Sequence, residues 1–416
     1  MTPPRKKIAI IGSGISGLAC AHFLHPHHDL TLFEKDDRLG GHSNTVMAGD
    51  DPLDTGFMVY NEVTYPLLTR LFKELEVATK PTSMSFSVQH LADGLEFNGG
   101  SLSLLFSQRR NLFRPRFWKM LLQINRFNKE TVAELKKNQE TSLTLAQYVE
   151  ERGYGQDFLH WYLSPMAAAV WSSPPEKIED FPAITLMRFW HNHGFLGLDT
   201  QHPWRTVTGG SREYVKKLTA PFQDRISKGD PVTAISPTNE VTLASGRKEQ
   251  FDQVISAAHG DQTLALLEEP SPLEQDLLSA FPYQRNEAVL HTDERFMPRT
   301  RRCWASWNYR IEGDRHSTIY WMNNLQGATA SKNFFVSINP SAPISPEHRI
   351  KKITYEHPLF DLKSIAAQKR LTELHEAAAE TGRFYCGAWQ RYGFHEDGLW
   401  SAARLCQHLL GKDPWS

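Results

Sequence analysis

Three observations in this 416-residue sequence predict an α/β fold in which a parallel sheet is assembled from separated pieces of chain. An apolar run, Ile8-Ala9-Ile10-Ile11, enters a Gly12-x-Gly14-x-x-Gly17 turn, and a helical pattern leaves it. A second run, Leu30-Thr31-Leu32-Phe33, ends in Glu34, 22 residues after Gly12. Nucleotide-fold patterns then return after a long helical insert, at 204–260. Strand, turn, helix, strand and acid in that order describe a Rossmann-like unit. Within it Gly12 makes the tight turn, Gly14 admits a pyrophosphate to the backbone, and Gly17 lets helix and strand pack closely. The helix that follows aims its free N–H groups and positive dipole end at phosphate. Glu34 falls where a second parallel strand delivers a carboxylate to an adenosine ribose hydroxyl.

The elements follow in order. Arg38-x-Gly40-Gly41 reads as a second loop approaching phosphate, with Arg38 neutralising charge. Asp54-Thr55-Gly56-Phe57 puts a glycine where the chain would lie close under a flat ring. From Asn61 the pattern turns helical: Leu67, Leu68, Leu71, Phe72 and Leu75 share one face, with Thr64 the expected N-cap and Pro66 in the first turn. Met84 to Val88 alternates as a strand, 115–137 reads as a long helix, and Thr144-x-x-Gln147 forms a capping box for a helix that Gly153 ends. The strand from Trp204 runs into Gly209-Gly210 and a helix through Tyr214 and Leu218; strands are expected at 231–235 and 251–258. Four more are expected at 288–291, 303–309, 318–322 and 334–338. A strand at 383–389, a glycine-rich turn over 392–398 and a helix over 399–410 close the chain.

Composition narrows the function. The formal net charge of −1 offers no field for a nucleic-acid partner, and none is expected. Cys20, Cys303, Cys386 and Cys406 lie far apart in sequence, which argues against a disulfide framework, a zinc site or a dithiol motif and suits a reducing cytoplasm. No stretch approaches the ~18 to 20 apolar residues of a membrane span, and the run before Gly12 is too short for a signal peptide. A cytoplasmic location is the expectation. Gln108 to Met120 stands out, because Arg109, Arg110, Arg114, Arg116 and Lys119 interleave with Leu112, Phe113, Phe117 and Trp118. Such a stretch reads either as a solvated helix with one buried side or as a peripheral contact on an anionic membrane.

Together, Gly12-x-Gly14-x-x-Gly17, Glu34, Arg38-x-Gly40-Gly41 and Asp54-x-Gly56 resemble the FAD-binding pattern of the flavin amine oxidase and phytoene desaturase superfamily. Val59-Tyr60-Asn61-Glu62, Met84-Ser85-Phe86-Ser87, Gln108-Arg109-Arg110-Asn111, Gly209-Gly210-Ser211-Arg212-Glu213-Tyr214 and Gly393-Phe394-His395-Glu396-Asp397-Gly398 further resemble a bacterial subfamily of NAD/FAD-binding proteins. Some of its members are associated with enzymes that methylate or cyclopropanate fatty acyl chains, and relatives act in furan fatty acid formation. The resemblance implies non-covalent FAD in a Rossmann-like domain assembled from 1–60, 204–265 and 380–416. It implies an α+β substrate-binding domain, with a mixed or antiparallel sheet, from 61–203 and 266–379. Gly12, Gly14 and Gly17 would hold the pyrophosphate and Glu34 the ribose, with Arg38, Gly40 and Gly41 at the phosphate and ring approach. Thr55, Gly56, Gly210, Glu396, Asp397 and Gly398 would surround the flavin, and the Val232 backbone would meet the adenine. Ser13, Ser16, Lys35, His42, Phe57, Gly387 and His395 complete the candidate contacts.

A flavin oxidoreductase needs few protein acids or bases, so no catalytic side chain is singled out and no metal ligand set is expected. His25-Pro26-His27-His28 reads as surface, and His191 and His193 as structural. His395-Glu396-Asp397-Gly398 is expected in a loop facing the flavin, where carboxylate, imidazole and N–H groups would tune it; the plain alternative is a helix cap. Amine oxidases of the superfamily carry a lysine near flavin N5, whereas the corresponding stretch Tyr283 to Val289 has none. Trp161, Trp171, Trp190, Trp304, Trp307, Tyr309, Tyr320 and Trp321 fill a core or line a pocket. An apolar, chain-like substrate, such as a fatty acyl chain losing hydride from a C–H bond, fits that combination. The alternatives are an amine oxidase, a reduced-flavin isomerase and a non-enzymatic flavin-binding recruitment factor. No second dinucleotide fingerprint appears, so oxygen or another acceptor is expected to reoxidise the flavin rather than a nicotinamide.

Overall fold

The apolar run near the N-terminus becomes the middle strand, Lys7–Ile11, of a five-stranded parallel sheet. The computed structural model describes residues 4–137, 141–197, 200–328 and 332–416. Across the sheet the strands are Ile226–Lys228, Asp29–Glu34, Lys7–Ile11, Gln253–Ser256 and Arg383–Tyr385, so three distant segments of chain meet in it. Successive side chains of a strand point to opposite faces. Ile8 and Ile10 accordingly join one buried cluster while Ala9 and Ile11 join another. That is why the strand reads as an unbroken apolar run: a parallel sheet is covered on both sides.

The first face is covered by the helices Ile15–Leu24 and His395–Leu410, whose Leu18, Leu24, Leu399, Ala402 and Leu405 are fully buried. Between them lie thiols that sequence distance had separated, with Cys20 Sγ 3.7 Å from Cys386 Sγ and Cys406 buried nearby as a free thiol. The other face is covered by a small antiparallel sheet (Val232–Ile235, Glu240–Leu243, Lys248–Gln250) and by the helix Pro272–Leu278, with Phe33, Phe251 and Phe281 packed between.

The second sheet has seven strands in the order Arg349–Pro358, Tyr283–His291, Phe335–Ile338, Arg315–Trp321, Trp307–Glu312, Phe86–His90 and Leu95–Asn98. Every pairing in it is antiparallel except Trp307–Glu312 on Phe86–His90. Helices from the insert bury an aromatic core beside it, including Phe127, Tyr148, Phe158, Trp161 and Trp190. The long helix runs Pro115–Lys136, and Thr144 and Gln147 form the expected capping box for Leu145–Glu151.

Several elements differ from expectation. The strand Trp204–Val207 pairs with Tyr60–Asn61 and Thr79–Thr82 instead of joining the parallel sheet. Ile226–Lys228 and Arg349–Pro358, both edge strands with weak apolar patterns, had no counterpart in the sequence reading. The helix Pro66–Glu74 starts after Tyr65 with no side-chain cap of its own; Thr64 Oγ1 instead accepts a hydrogen bond from Asn61. The closing helix begins at His395, so His395, Glu396, Asp397 and Gly398 form its first turn and not a loop.

Candidate functional site

Four parallel strands end at one cavity. Gly12 and Ser13 follow Lys7–Ile11, Glu34 and Lys35 end or follow Asp29–Glu34, Ala257 to His259 follow Gln253–Ser256, and Gly387 to Trp389 follow Arg383–Tyr385. In a parallel α/β sheet the carboxyl ends of the strands are where ligands bind. The cavity measures about 940 Å³ and reaches from there to the seven-stranded sheet.

At the sheet end Gly14 is the N-cap of Ile15–Leu24, with no side-chain cap and no acidic residue in the first turn. The helix therefore presents uncapped N–H groups and its positive end where Gly14, Ile15 and Ser16 line the cavity. A Cβ on Gly14 would meet nothing within 4 Å, whereas one on Gly17 would lie 1.8 Å from the Gly12 carbonyl oxygen. Gly17 is thus a packing glycine, away from the cavity wall. The Glu34 carboxylate accepts from the Ser13 amide and hydroxyl through one oxygen and from the Asp36 amide through the other. Arg38, Gly40, Gly41 and His42 follow along the wall, as does Val232 on the opposite side. The 40–44 and 54–57 loops pair by backbone, Thr55 N donating to Asn44 O and Phe57 N to His42 O. That pairing brings Gly56 and Phe57 to the cavity.

Histidines crowd its middle. His42 stacks on Tyr355, at 4.9 Å between ring centroids, and meets His357 edge-on. His395 stacks on Phe57 at 3.9 Å, and its Nε2 lies 2.7 Å from the Tyr214 hydroxyl. Burial lowers all three imidazoles to about 3, helped at His42 by His259, His395 and Arg38 and at His357 by His42, since a second positive charge beside any of these groups would be repelled. His259, stacked on Tyr283, is lowered to about 4 by burial and then by Lys35 and His357. At neutral pH these rings are uncharged, each offering one donor and one acceptor. His42 Nε2, Trp204 Nε1, Trp307 Nε1 and Trp389 Nε1 are buried polar atoms at the cavity with no hydrogen-bond partner among the described residues. Such atoms are costly unless something satisfies them.

The far end is apolar and aromatic. Trp171, Phe189, Phe195, Trp204, Trp307 and Tyr320 line it with Met84 and Val170, while Trp161 and Trp190 stay in the core. Arg285, not a lysine, faces the cavity from the strand Tyr283–His291. Among the described residues no three His, Cys, Asp or Glu side chains are grouped to hold a metal ion.

Of the candidate contacts read from the sequence, Gly12, Ser13, Gly14, Ser16, Glu34, Lys35, Arg38, Gly40, Gly41, His42, Gly56, Phe57, Val232, Gly387 and His395 line this cavity. Six others stand behind its wall. Gly17 packs on Gly12; Thr55 Oγ1 donates to Asn44 O and lies 2.7 Å from the Tyr355 hydroxyl; Gly210 abuts Thr45. Glu396 accepts from Leu67 N and Leu68 N at 2.9 Å each, Asp397 accepts from Phe394 N at 2.9 Å, and Gly398 packs on Ile15 and Ser16. The two carboxylates thus cap helices and do not face the cavity, because the turn assumed to carry them there is helical. Tyr355, His357, His259 and Arg285 are cavity residues that sequence reading missed. The alternation Ile353-x-Tyr355-x-His357 was the available signal, diluted by Lys351, Lys352 and Glu356 on an edge strand.

The chain matches the family model for flavin containing amine oxidoreductases over residues 15–347. No curated protein matches the sequence. In three dimensions it is similar to a CLA-producing fatty acid isomerase from P. acnes, with a TM-score of 0.70 at 13% identity over 97% of this chain and 98% of that one. It is similar to cyclohexylamine oxidase from Brevibacterium oxydans IH-35A, at 0.64 and 17% over 98% and 100%, and to putrescine oxidase, solved with putrescine, at 0.66 and 13% over 98% and 100%. At such identities the likeness is one of fold.

Proposed function

Because the chain belongs to the family of flavin-containing amine oxidoreductases and is an FAD-dependent oxidoreductase, we propose that it removes hydride from a C–H bond of an apolar, chain-like substrate, such as a fatty acyl chain, while the adjacent carbon gives up a proton, leaving an oxidised or desaturated product. The residues present suit the cofactor. An uncapped helix end, an open face at Gly14 and a carboxylate at Glu34 match pyrophosphate and ribose, and unpartnered buried polar atoms await a ligand with hydrogen-bonding edges. In this reading Gly12 to Ser16, Arg38, Gly40 and Gly41 hold the phosphates without a covalent link. Glu34 orients the ribose, Val232 borders the adenine, and Gly56, Phe57, Gly387 and His395 bound the flavin. Bound FAD supplies the hydride acceptor. The chain's part is to position the substrate, exclude water and keep its imidazoles neutral.

The observation that carries the substrate class is the far end of the cavity, built from Trp171, Phe189, Phe195, Trp204, Trp307 and Tyr320 without a charged side chain among them. Arg285 on the strand where a lysine would serve amine oxidation points the same way. The likeness to a fatty acid isomerase supports an acyl chain as cargo, while the likeness to two amine oxidases keeps amines as the competing class. The test is anaerobic bleaching of the flavin band near about 450 nm in the purified yellow protein. Fatty acids or phospholipids should bleach it and primary amines should not. Bleaching by amines alone would replace this reading with amine oxidation. A lipid that is isomerised with no net bleaching would replace it with reversible hydride return.

A further inference from the structure

The segment 102–122, which includes the basic stretch of the insert, holds most of the large exposed apolar side chains among the described residues. Leu102, Leu112, Phe113, Trp118 and Leu122 are five of the nine large hydrophobics exposed among the described residues, with Phe113 at 86% and Leu122 at 68%. Three short elements bring them together: the helix Leu102–Leu105, the turn Arg109–Phe113 and the start of the helix Pro115–Lys136. Trp118 Nε1 donates to Leu112 O, its ring lies 5.0 Å from that of Phe106, and Leu122 follows Trp118 by one helical turn. Isolated exposed hydrophobics are ordinary on a protein surface, but a contiguous group with a polar rim marks a contact.

The segment itself carries charges of one sign. From 97 to 129 the chain carries seven Lys or Arg and no Asp or Glu. Some of these cations are committed internally, Arg116 to Asp157 at 2.6 Å and Arg126 to Glu130 at 2.7 Å. Arg109 and Lys119, in the same segment as Phe113 and Trp118, are exposed and make no ion pair with the described residues. Arg302, on a neighbouring turn, reaches the same side through Ser103 Oγ at 3.2 Å.

We propose that the face formed by Leu102, Leu112, Phe113, Trp118 and Leu122, ringed by Arg109, Lys119 and Arg302, docks on the surface of an anionic phospholipid bilayer. Aromatic and aliphatic side chains enter the boundary between headgroups and acyl chains, while cations stay at the phosphates; the two contributions add, which is how a peripheral protein binds without an anchor. The charge pattern selects this occupant over a second copy of the chain, since two such faces would set cations against cations. The docking is independent of which substrate the flavin site takes.

Vesicle sedimentation of the FAD-loaded protein tests it, with vesicles of phosphatidylcholine alone and of phosphatidylcholine mixed with phosphatidylglycerol. The protein should sediment with the mixed vesicles and stay in the supernatant with the neutral ones, and salt should release it. F113S/L122S and R109E/K119E should each weaken binding about tenfold or more, with flavin absorbance and unfolding midpoint unchanged because the altered side chains are exposed. Absence of binding to the mixed vesicles, equal binding to both kinds, or undiminished binding by both variants would overturn the proposal. So would lipid-free self-association that F113S/L122S abolishes, which would make the face an interface between copies. Since sedimentation reads no turnover, its outcome is separate from that of the bleaching experiment.

Discussion

Two glycines three residues apart do different work, and each can be tested apart from the other. Gly17 has no room: an added Cβ would sit 1.8 Å from the Gly12 carbonyl oxygen, which belongs to backbone and cannot step aside. Gly14 has open space where a Cβ would stand and an ordinary φ of −63°, so alanine fits the fold but projects into the cavity. Gly17→Ala should therefore lose roughly 2–4 kcal/mol of stability through forced separation of strand and helix. Gly14→Ala should unfold within about 2 °C of the parent yet bind FAD about tenfold more weakly or worse. Thermal unfolding and flavin titration of the two variants separate these effects. Equal flavin affinity for Gly14→Ala and the parent would remove Gly14 from the proposed pyrophosphate site.

Glu396 illustrates how one element depends on another far away in sequence. The helix Pro66–Glu74 has no cap of its own, and the Glu396 carboxylate, from the first turn of the closing helix, accepts from its Leu67 and Leu68 amides. Burial raises this carboxyl to about 7, with those amides pulling the other way. Glu396→Ala leaves the two donors unmet and should cost about 1–3 kcal/mol; Glu396→Gln keeps one acceptor and should cost less. The raised folded-state value has a second consequence. Protonation favours the fold, so this group's contribution is present below the ordinary 4.5 and is lost as pH rises through about 7. Glu396→Gln should flatten that part of the stability profile, which denaturant unfolding at pH 5 and pH 8 would read; an unchanged profile would refute the assignment. Tyr65, which immediately precedes this helix, lines the cavity, so the cap also steadies a wall of the site.

Across the whole molecule, buried histidines outweigh such carboxylates. His42, His193, His259, His291, His357 and His395 are all lowered to about 3 or 4, chiefly by burial. Each favours the fold fully above the ordinary 6.5 and loses that contribution as pH falls toward its lowered value. Glu396 and Asp397, raised to about 7 and about 6, act in the opposite sense over the same range. Each group contributes at most about 1.4 kcal/mol per pH unit, so six against two leaves the histidines in control. The unfolding midpoint of the FAD-bound protein should fall as pH is taken from 7 to 5, and a flat or rising midpoint would contradict the buried, neutral state of these rings. How much of this was legible beforehand follows from the range of the interactions involved. The strand and turn through Gly17, Glu34 at the end of its strand, and the Thr144–Gln147 capping box rest on contacts between near neighbours, and local pattern sufficed to predict them. The inner strands of the parallel sheet, Lys7–Ile11 and Gln253–Ser256, were legible as well because they carry apolar runs, whereas its edge strand Ile226–Lys228 was not. Tyr355 and His357 were not, since an edge strand shows little periodicity until its partner is known. Nor was the outward turn of Glu396, which depends on a helix end more than 300 residues away. By itself the sequence determined the class of fold and the glycine turn at the head of its cavity, because tight turns and covered strands restrict residue type directly. Only the tertiary structure decided which side chains face the cavity and which stand behind it, because that depends on where helices begin and which distant backbone groups need partners.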